Sequence, residues 1–514
     1  MTTNSGFYVT TAIPYVNAAP HLGHALELIQ ADVLARHRRL RGECVRFLTG
    51  TDDNALKNVT AARAAGVDVA TFVTDNATRF AALREPLGLS FDDFIRTSTD
   101  PRHACGVQRL WRQCTASGDF YRRSYEGLYC TGCEQFYSSS ELPDGLCPEH
   151  RVAPEPVVEQ NWFFRLSRYR DQILDVLESG QVRIAPAARR NEVLAFVRAG
   201  LADFSVSRPA ARADGWGIGV PGDADQVVYV WWDALTNYVT ALGYGTDDPA
   251  YQRWWVNSAE RVHVIGKGIV RFHAVYWLAL LLSAGQPLPT TVFVHDYLTV
   301  DGAKLSKSAG NTVSPTALVD HYGTDALRWW LLREVATVGH TDFTAERLVH
   351  RANLELANGL GNLVNRTLSL VHKCRDGRVP EPPQRYKSAG LVTACADLPG
   401  RIDCALTDFD FRAATNAVCS VIDAANRFVE TEQPWQLARA QQAGDDAAAA
   451  RLDAVLADLV HACRALATEL QPFIPVGAQR LRRQLLCADH VGQPQPAFPR
   501  LQRPDAAVDG VPTK

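Results

Sequence analysis

A chain of 514 residues, 46% of them hydrophobic and 21% charged, has an ordinary globular composition and is sized for about two to four domains rather than one core. Its net charge of −3 gives no global attraction to nucleic acid or anionic membranes, so any RNA contact must rest on local basic patches. No run of about 18 apolar residues occurs, the most apolar stretch being Ala274 to Ala284, and the first residues carry neither a basic region nor an apolar signal core; a cytoplasmic protein with no membrane association is expected.

Phe7 to Thr11 is a β-rich run that ends before Pro14. His21-Leu22-Gly23-His24 follows and opens a helix predicted over Ala25 to Leu40; Val45 to Leu48, between Gly42 and Gly50, is a second short strand. Strand, helix and strand make a doubly wound α/β unit, whose ligand crevice lies at the carboxyl ends of its strands, where Ile13 to Tyr15 and Thr49 to Asp52 fall. Two histidines at a helix N-terminus can donate to phosphoryl oxygens where the helix dipole already favours negative charge, and Gly23 permits close backbone approach. Far downstream, Lys304-Leu305-Ser306-Lys307-Ser308 adds cations suited to a departing pyrophosphate. Together they fit a site that handles a triphosphate without a Walker A loop, and the chemistry implied is adenylate formation.

From about Leu110 to Gln226 the α/β alternation breaks, which indicates an inserted domain. It holds the aromatic run Asn161-Trp162-Phe163-Phe164, a helix expected from about Arg168 to Glu178 with Ser167 as its cap, and one cysteine group with ligand spacing. Most of the twelve cysteines are scattered singly and read as small core residues. Cys130-x-x-Cys133 with Cys147-x-x-His150 instead reads as a closed tetrahedral site for one structural zinc per chain. The α/β pattern resumes with strands expected at Val227 to Val230, Val262 to Ile265 and Thr291 to Val294. Beyond Asp320 the chain is mostly helical: Thr344 can cap a helix that places Leu356, Leu360, Leu363 and Val364 on one face, and alanine-rich Asp446 to Leu459 is another helix. Past Val491 the prolines predict an extended or disordered tail with no further globular module, and hence a monomer. Three basic clusters, Arg36 to Arg41, Arg183 to Arg190 and Arg480 to Arg483, read from charge patterning as solvated helix faces.

The motifs resemble those of class I aminoacyl-tRNA synthetases, and in particular the methionyl-tRNA synthetase family. The matching stretches are Thr10 to Ala18 running into His21 to His24, Thr49-Gly50-Thr51-Asp52, Tyr229 to Ala234, Ile265-Gly266-Lys267, the lysine loop, Gly361 to Arg366, and Pro434-Trp435. The resemblance implies a Rossmann-type catalytic domain split by a zinc-knuckle insertion and followed by an α-helical anticodon-binding bundle. Its halves would be 1–112 and 227–300, with the insertion at 113–226, the lysine loop and stem-contact region at 301–345, the bundle at 346–490 and the tail at 491–514. It implies a ligase that activates L-methionine with ATP and Mg²⁺ and charges initiator and elongator methionine tRNAs.

By the same resemblance His21, Gly23, His24, Lys304 and Lys307 bind ATP and stabilise the transition state, and Asp52 binds the methionine ammonium. Ile13, Tyr15, Trp231, Ala234 and Tyr238 line the side-chain slot together with Ile269, Phe272, His273 and Trp277, and Tyr15 or His273 is placed to hydrogen-bond the sulfur. Without the family, Trp231 and Trp277 read as core aromatics. Asn362 and Arg366, four apart on one helix face, and Trp435 would read the CAU anticodon. The pattern departs at Asn54-Ala55, where relatives carry an imidazole and a glycine, at Leu235, and at Gly268, where they carry a ribose-binding aspartate. These changes, with Met1 as the only methionine, motivate an alternative: a paralogue with weakened ligation or a non-tRNA acceptor, or a stress or resistance copy. Isoleucine and leucine enzymes of the same class fail on length, because the insertion is too short for their editing domain.

Overall fold

The computed structural model describes residues 6–502 apart from 131, 133, 134, 138, 149, 150, 301, 305–311, 382–388 and 486–488. The chain divides into two compact units, one of residues 1–20, 42–84 and 90–295, the other of residues 21–41, 85–89 and 296–514.

The first unit is built on six parallel strands in the order Asp93–Arg96, Val45–Thr51, Phe7–Thr11, Glu260–Gly266, Thr291–His295, Arg183–Ala185. Phe7–Thr11 is buried at every residue, as a central strand covered on both faces must be. The sequence direction of the strand order reverses between Phe7–Thr11 and Glu260–Gly266, and such a switch point opens a crevice beyond the carboxyl ends of the strands. Ala12 to Tyr15 and Lys267 to Ile269 lie there, and Tyr15 pairs with Asp52 in an isolated parallel bridge. Gly50 is required: a Cβ on it would sit 2.1 Å from the Ile95 carbonyl oxygen of the neighbouring strand. The core beneath is rich in aromatics, with Trp232, Trp255 and Trp277 fully buried.

Three expectations are corrected in this unit. The apolar run near Val227 is the end of a strand, Asp223–Val228, but it belongs to a small antiparallel sheet with Gly219–Val220 and Ser207–Pro209 rather than to the parallel sheet. The sixth parallel strand is instead Arg183–Ala185, from within the expected insertion, paired with Thr291–Phe293. Ser167 caps no helix: its hydroxyl donates to Asp203 Oδ1 at 2.7 Å, and the α-helix starts only at Arg170 after a tight 3₁₀ turn. Elsewhere within 113–226, Phe120–Cys130 and Glu155–Phe164 form a long antiparallel pair.

In the second unit the Leu22–Leu40 helix is fixed by charge. Asp32 and Arg328, both fully buried, pair at 2.8 Å, and Arg328 also donates to the carbonyls of Leu87, Pro472 and Phe473. A buried guanidinium is tolerable because its donors are met in this way. At the other end of the helix Arg41 pairs with Glu469 and Asp403, both at 2.7 Å. Thr344 caps Ala345–Arg351 as expected, its Oγ1 accepting the Arg347 N–H at 3.2 Å. That helix continues through a wide-turn stretch, Ala352–Gly361, into Asn362–Arg375, and it buries Leu356, Leu360, Leu363 and Val364. The alanine-rich helix is longer than expected, Asp446–Glu469. The tail is extended but packed between Val491 and Gln502, where Val491, Ala497 and Phe498 are buried and Asn353 clamps both the N–H and the C=O of Leu501; residues 503–514 lie outside the described residues. Among the described residues no helix is long and apolar enough to cross a membrane.

Candidate active site

His21 is the N-cap of the Leu22–Leu40 helix, and its Nδ1 accepts the Gly23 N–H at 3.1 Å. His24 answers reciprocally, its Nδ1 accepting the His21 N–H at 3.0 Å, and the two rings stack with centroids 3.8 Å apart. This is a capping box built from imidazoles. An Nδ1 that accepts cannot carry the proton, so each ring is held with its proton on Nε2. Two N–H donors are thereby oriented at the positive end of a helix dipole. The Leu22 N–H, one of the unpaired donors of the first turn, is taken by the Val313 carbonyl at 2.9 Å. Val313 lies shortly after the lysine motif in sequence, so the start of the histidine helix is bonded to the stretch that follows that motif. Lys304 ends a short strand, Ala303–Lys304, against Leu298–Val300, whereas Lys307 lies outside the described residues.

In the first unit the expected amino-acid slot comes together at the switch point. Asp52 is 1% exposed, and Tyr15 meets Trp231 edge to face at 6.1 Å. Trp231 stacks on Phe272 at 3.6 Å with the rings 6° from parallel. Ile13 and Ile269 pack on the same core, and Ala234 is buried one helical turn from Trp231. Tyr238 and Trp277 sit deeper, 6.1 Å apart. Lys57 lies over the Tyr15 ring, Nζ 3.9 Å from its centroid.

The buried histidines behind this wall have definite tautomers. His273 Nδ1 donates to the Ile269 carbonyl at 3.0 Å, so Nε2 accepts from the Tyr238 hydroxyl at 2.7 Å. Burial pushes His273 down to about 4, which keeps it neutral. Both ring nitrogens of His273 are engaged within the protein. His263, which the sequence reading missed, accepts from Trp277 Nε1 at 3.2 Å and pairs with Thr10 Oγ1 at 2.7 Å, and burial also holds it well below its usual value. The signal was a polar residue inside an apolar central strand, in register with Thr10.

The other expected residues are divided. Asn362 and Arg366 are both exposed on the Asn362–Arg375 helix, and Trp435 is 43% exposed at the start of Pro434–Gln442, an unusual position for so large an apolar side chain. Several arginines of the basic clusters are spent internally: Arg36 on Asp32, Arg189 on Glu192 and Arg480 on Asp325. Of the zinc group, Cys130 and Cys147 are buried in one small cluster with Tyr137 and Leu142, while Cys133 and His150 lie outside the described residues.

Residues 7–154 and 152–368 match the family model of class I tRNA synthetases (M). The methionine–tRNA ligase of Brucella suis biovar 1 is 40% identical over 97% of this chain and 98% of its own length, and that of Mycobacterium bovis is 43% identical over 92% and 91%. The solved structure of Mycobacterium tuberculosis methionyl-tRNA synthetase in complex with methionyl-adenylate aligns with a TM-score of 0.91 at 40% identity, over 96% of this chain and 100% of that one. With a family model spanning most of the chain and relatives this similar end to end, the chain belongs to the methionine–tRNA ligases, within the class I tRNA synthetases.

Proposed function

We propose that this chain is a methionine–tRNA ligase. The methionine carboxylate attacks the α-phosphorus of ATP in line and pyrophosphate leaves; a ribose hydroxyl of the tRNA terminal adenosine then attacks the adenylate carbonyl and AMP leaves. No side chain needs to act as a general base, and the chain contributes positioning and charge. His21 and His24, with Nε2–H fixed, donate to phosphate oxygens, and Lys304 and Lys307 add charge where pyrophosphate departs. Mg²⁺ bound with ATP supplies further charge neutralisation on the triphosphate. Asp52 takes the ammonium group. Trp231, Phe272, Tyr15 and their neighbours accept the thioether, whose sulfur gains modestly from aromatic edges.

The observation that carries this reading is the Leu22 N–H bond to Val313 O at 2.9 Å, which ties the histidine helix to the chain leaving the lysine loop. Asn362, Arg366 and Trp435 read the anticodon, their exposure on the helical bundle supporting the role. Cys130, Cys133, Cys147 and His150 hold one structural zinc. Two sulfurs buried in a cluster too small to be a core of its own fit that ion. The test is methionine-dependent exchange of pyrophosphate into ATP by the purified protein: exchange that requires methionine and falls at least about a hundredfold in Lys307→Ala supports the reading, and exchange indifferent to methionine rejects it.

A further inference from the structure

The surroundings of Asn54 give it a definite task. Its Nδ2 donates to Asp233 Oδ2 at 2.7 Å and to the Thr97 carbonyl at 3.3 Å, and its backbone N–H donates to Asp52 Oδ1 at 3.2 Å. Asp233, 1% exposed, lies in the first turn of the Val230–Thr240 helix between Trp231 and Ala234. Its other oxygen meets Nε2 of fully buried His103. His103 Nδ1 contacts Thr240 Oγ1 at 2.8 Å, and that hydroxyl gives its own proton to the Asn237 carbonyl at 3.3 Å. Both Asp233 oxygens are therefore met inside the protein, one by the His103 ring and the other by the Asn54 amide.

We infer that Asn54 is a positioning residue for methionine recognition: its backbone holds the ammonium-binding Asp52 while its amide anchors, through Asp233, the helix that carries the Trp231 wall. This rests on the reading of Asp52 as the ammonium's partner. An amide suits the place because it donates without titrating. Losing it leaves Asp233 Oδ2 short of a donor in the interior, and a buried acceptor so stranded pulls its helix toward another partner. Because the Asp52 contact comes from the backbone of residue 54, a side-chain change there disturbs the Trp231 wall and spares Asp52.

The experiment is pyrophosphate exchange by the full chain with Asn54→Ala, Asn54→His and Asp52→Asn. Asn54→Ala should raise KM for methionine about tenfold and narrow the preference for methionine over norleucine, with KM for ATP and kcat within about threefold. Asn54→His, which restores an N–H facing Asp233, should recover most of the loss. If Asn54→Ala does not yield folded protein, Asn54→Ser, too short to span to Asp233, carries the same comparison. Asp52→Asn raising methionine KM while Asn54→Ala leaves both KM and preference unchanged would overturn the inference alone. Asp52→Asn leaving methionine KM unchanged would overturn the Asp52 reading, and the inference with it. Equal losses in KM for both substrates and in kcat, unrescued by histidine, would mark Asn54 as a fold residue and also overturn it.

Discussion

Gly23→Ala separates what the histidine pair does for the helix from what it does for ATP. A Cβ at residue 23 would lie 3.0 Å from His21 Cε1 and 3.1 Å from its Nδ1, tighter than ordinary contact, so the ring must shift by a few tenths of an ångström. That shift strains the Nδ1 bond to residue 23 and the 3.8 Å stack on His24. For stability the effects oppose: alanine gains about 0.8–1 kcal/mol over glycine in a helix, and a weakened N-cap costs roughly 0.5–2 kcal/mol. The net change should therefore stay within about 1 kcal/mol. Catalysis has no such compensation, because removing one oriented donor to developing charge costs about a hundredfold to a thousandfold, and tilting it costs at least about tenfold. Thermal unfolding and methionine-dependent pyrophosphate exchange, run on the same preparation, should show near-parental stability with exchange down by at least about tenfold. A folded variant exchanging within twofold of the parent would refute the assignment of the ring pair to phosphate.

Other consequences are as direct. Trp435→Ala removes a stacking platform worth about 1–3 kcal/mol per base, so KM for tRNA in aminoacylation should rise roughly 5- to 150-fold while pyrophosphate exchange and unfolding temperature hold; loss of stability instead would make Trp435 a packing residue. His273 titrates near 4 in the folded chain against about 6.5 unfolded, so its contribution is complete above about 6.5 and is lost as pH falls toward 4. This amounts to roughly 3 kcal/mol, with His263 adding in the same direction, and denaturant midpoints flat across that range would contradict the neutral burial of both imidazoles. Cys147→Ser should lower bound zinc from one per chain and destabilise the insertion to proteolysis, whereas metal-free parent protein of undiminished stability would dismiss the zinc site.

What was legible in the sequence was local. Phe7–Thr11 emerged with its true bounds because a β-branched and aromatic run ends before proline, and the Thr344 cap needs only the residues that follow it. Arg183–Ala185 was missed because three residues carry no period and their partner strand lies about a hundred residues on. The Val227 strand was seen but assigned to the wrong sheet, since a short apolar run does not reveal what it pairs with. At the site, the motif pattern named His21 and His24, and the family resemblance named Asp52. The longer-range bonds around them, Leu22 to Val313 and Asn54 to Asp233, join residues far apart in the chain and leave no periodic trace. Asn54 looked like a defect in the motif until its amide was found on a buried carboxylate.

The most direct test of the account is aminoacylation of methionine tRNA transcripts by the purified chain, each standard amino acid being offered in turn with ATP and Mg²⁺. The account predicts that methionine alone is esterified and that transcripts with an altered CAU anticodon are charged poorly, with methionine-dependent pyrophosphate exchange intact in the absence of tRNA. Exchange without charging of any methionine tRNA, or charging with a different amino acid, would contradict it.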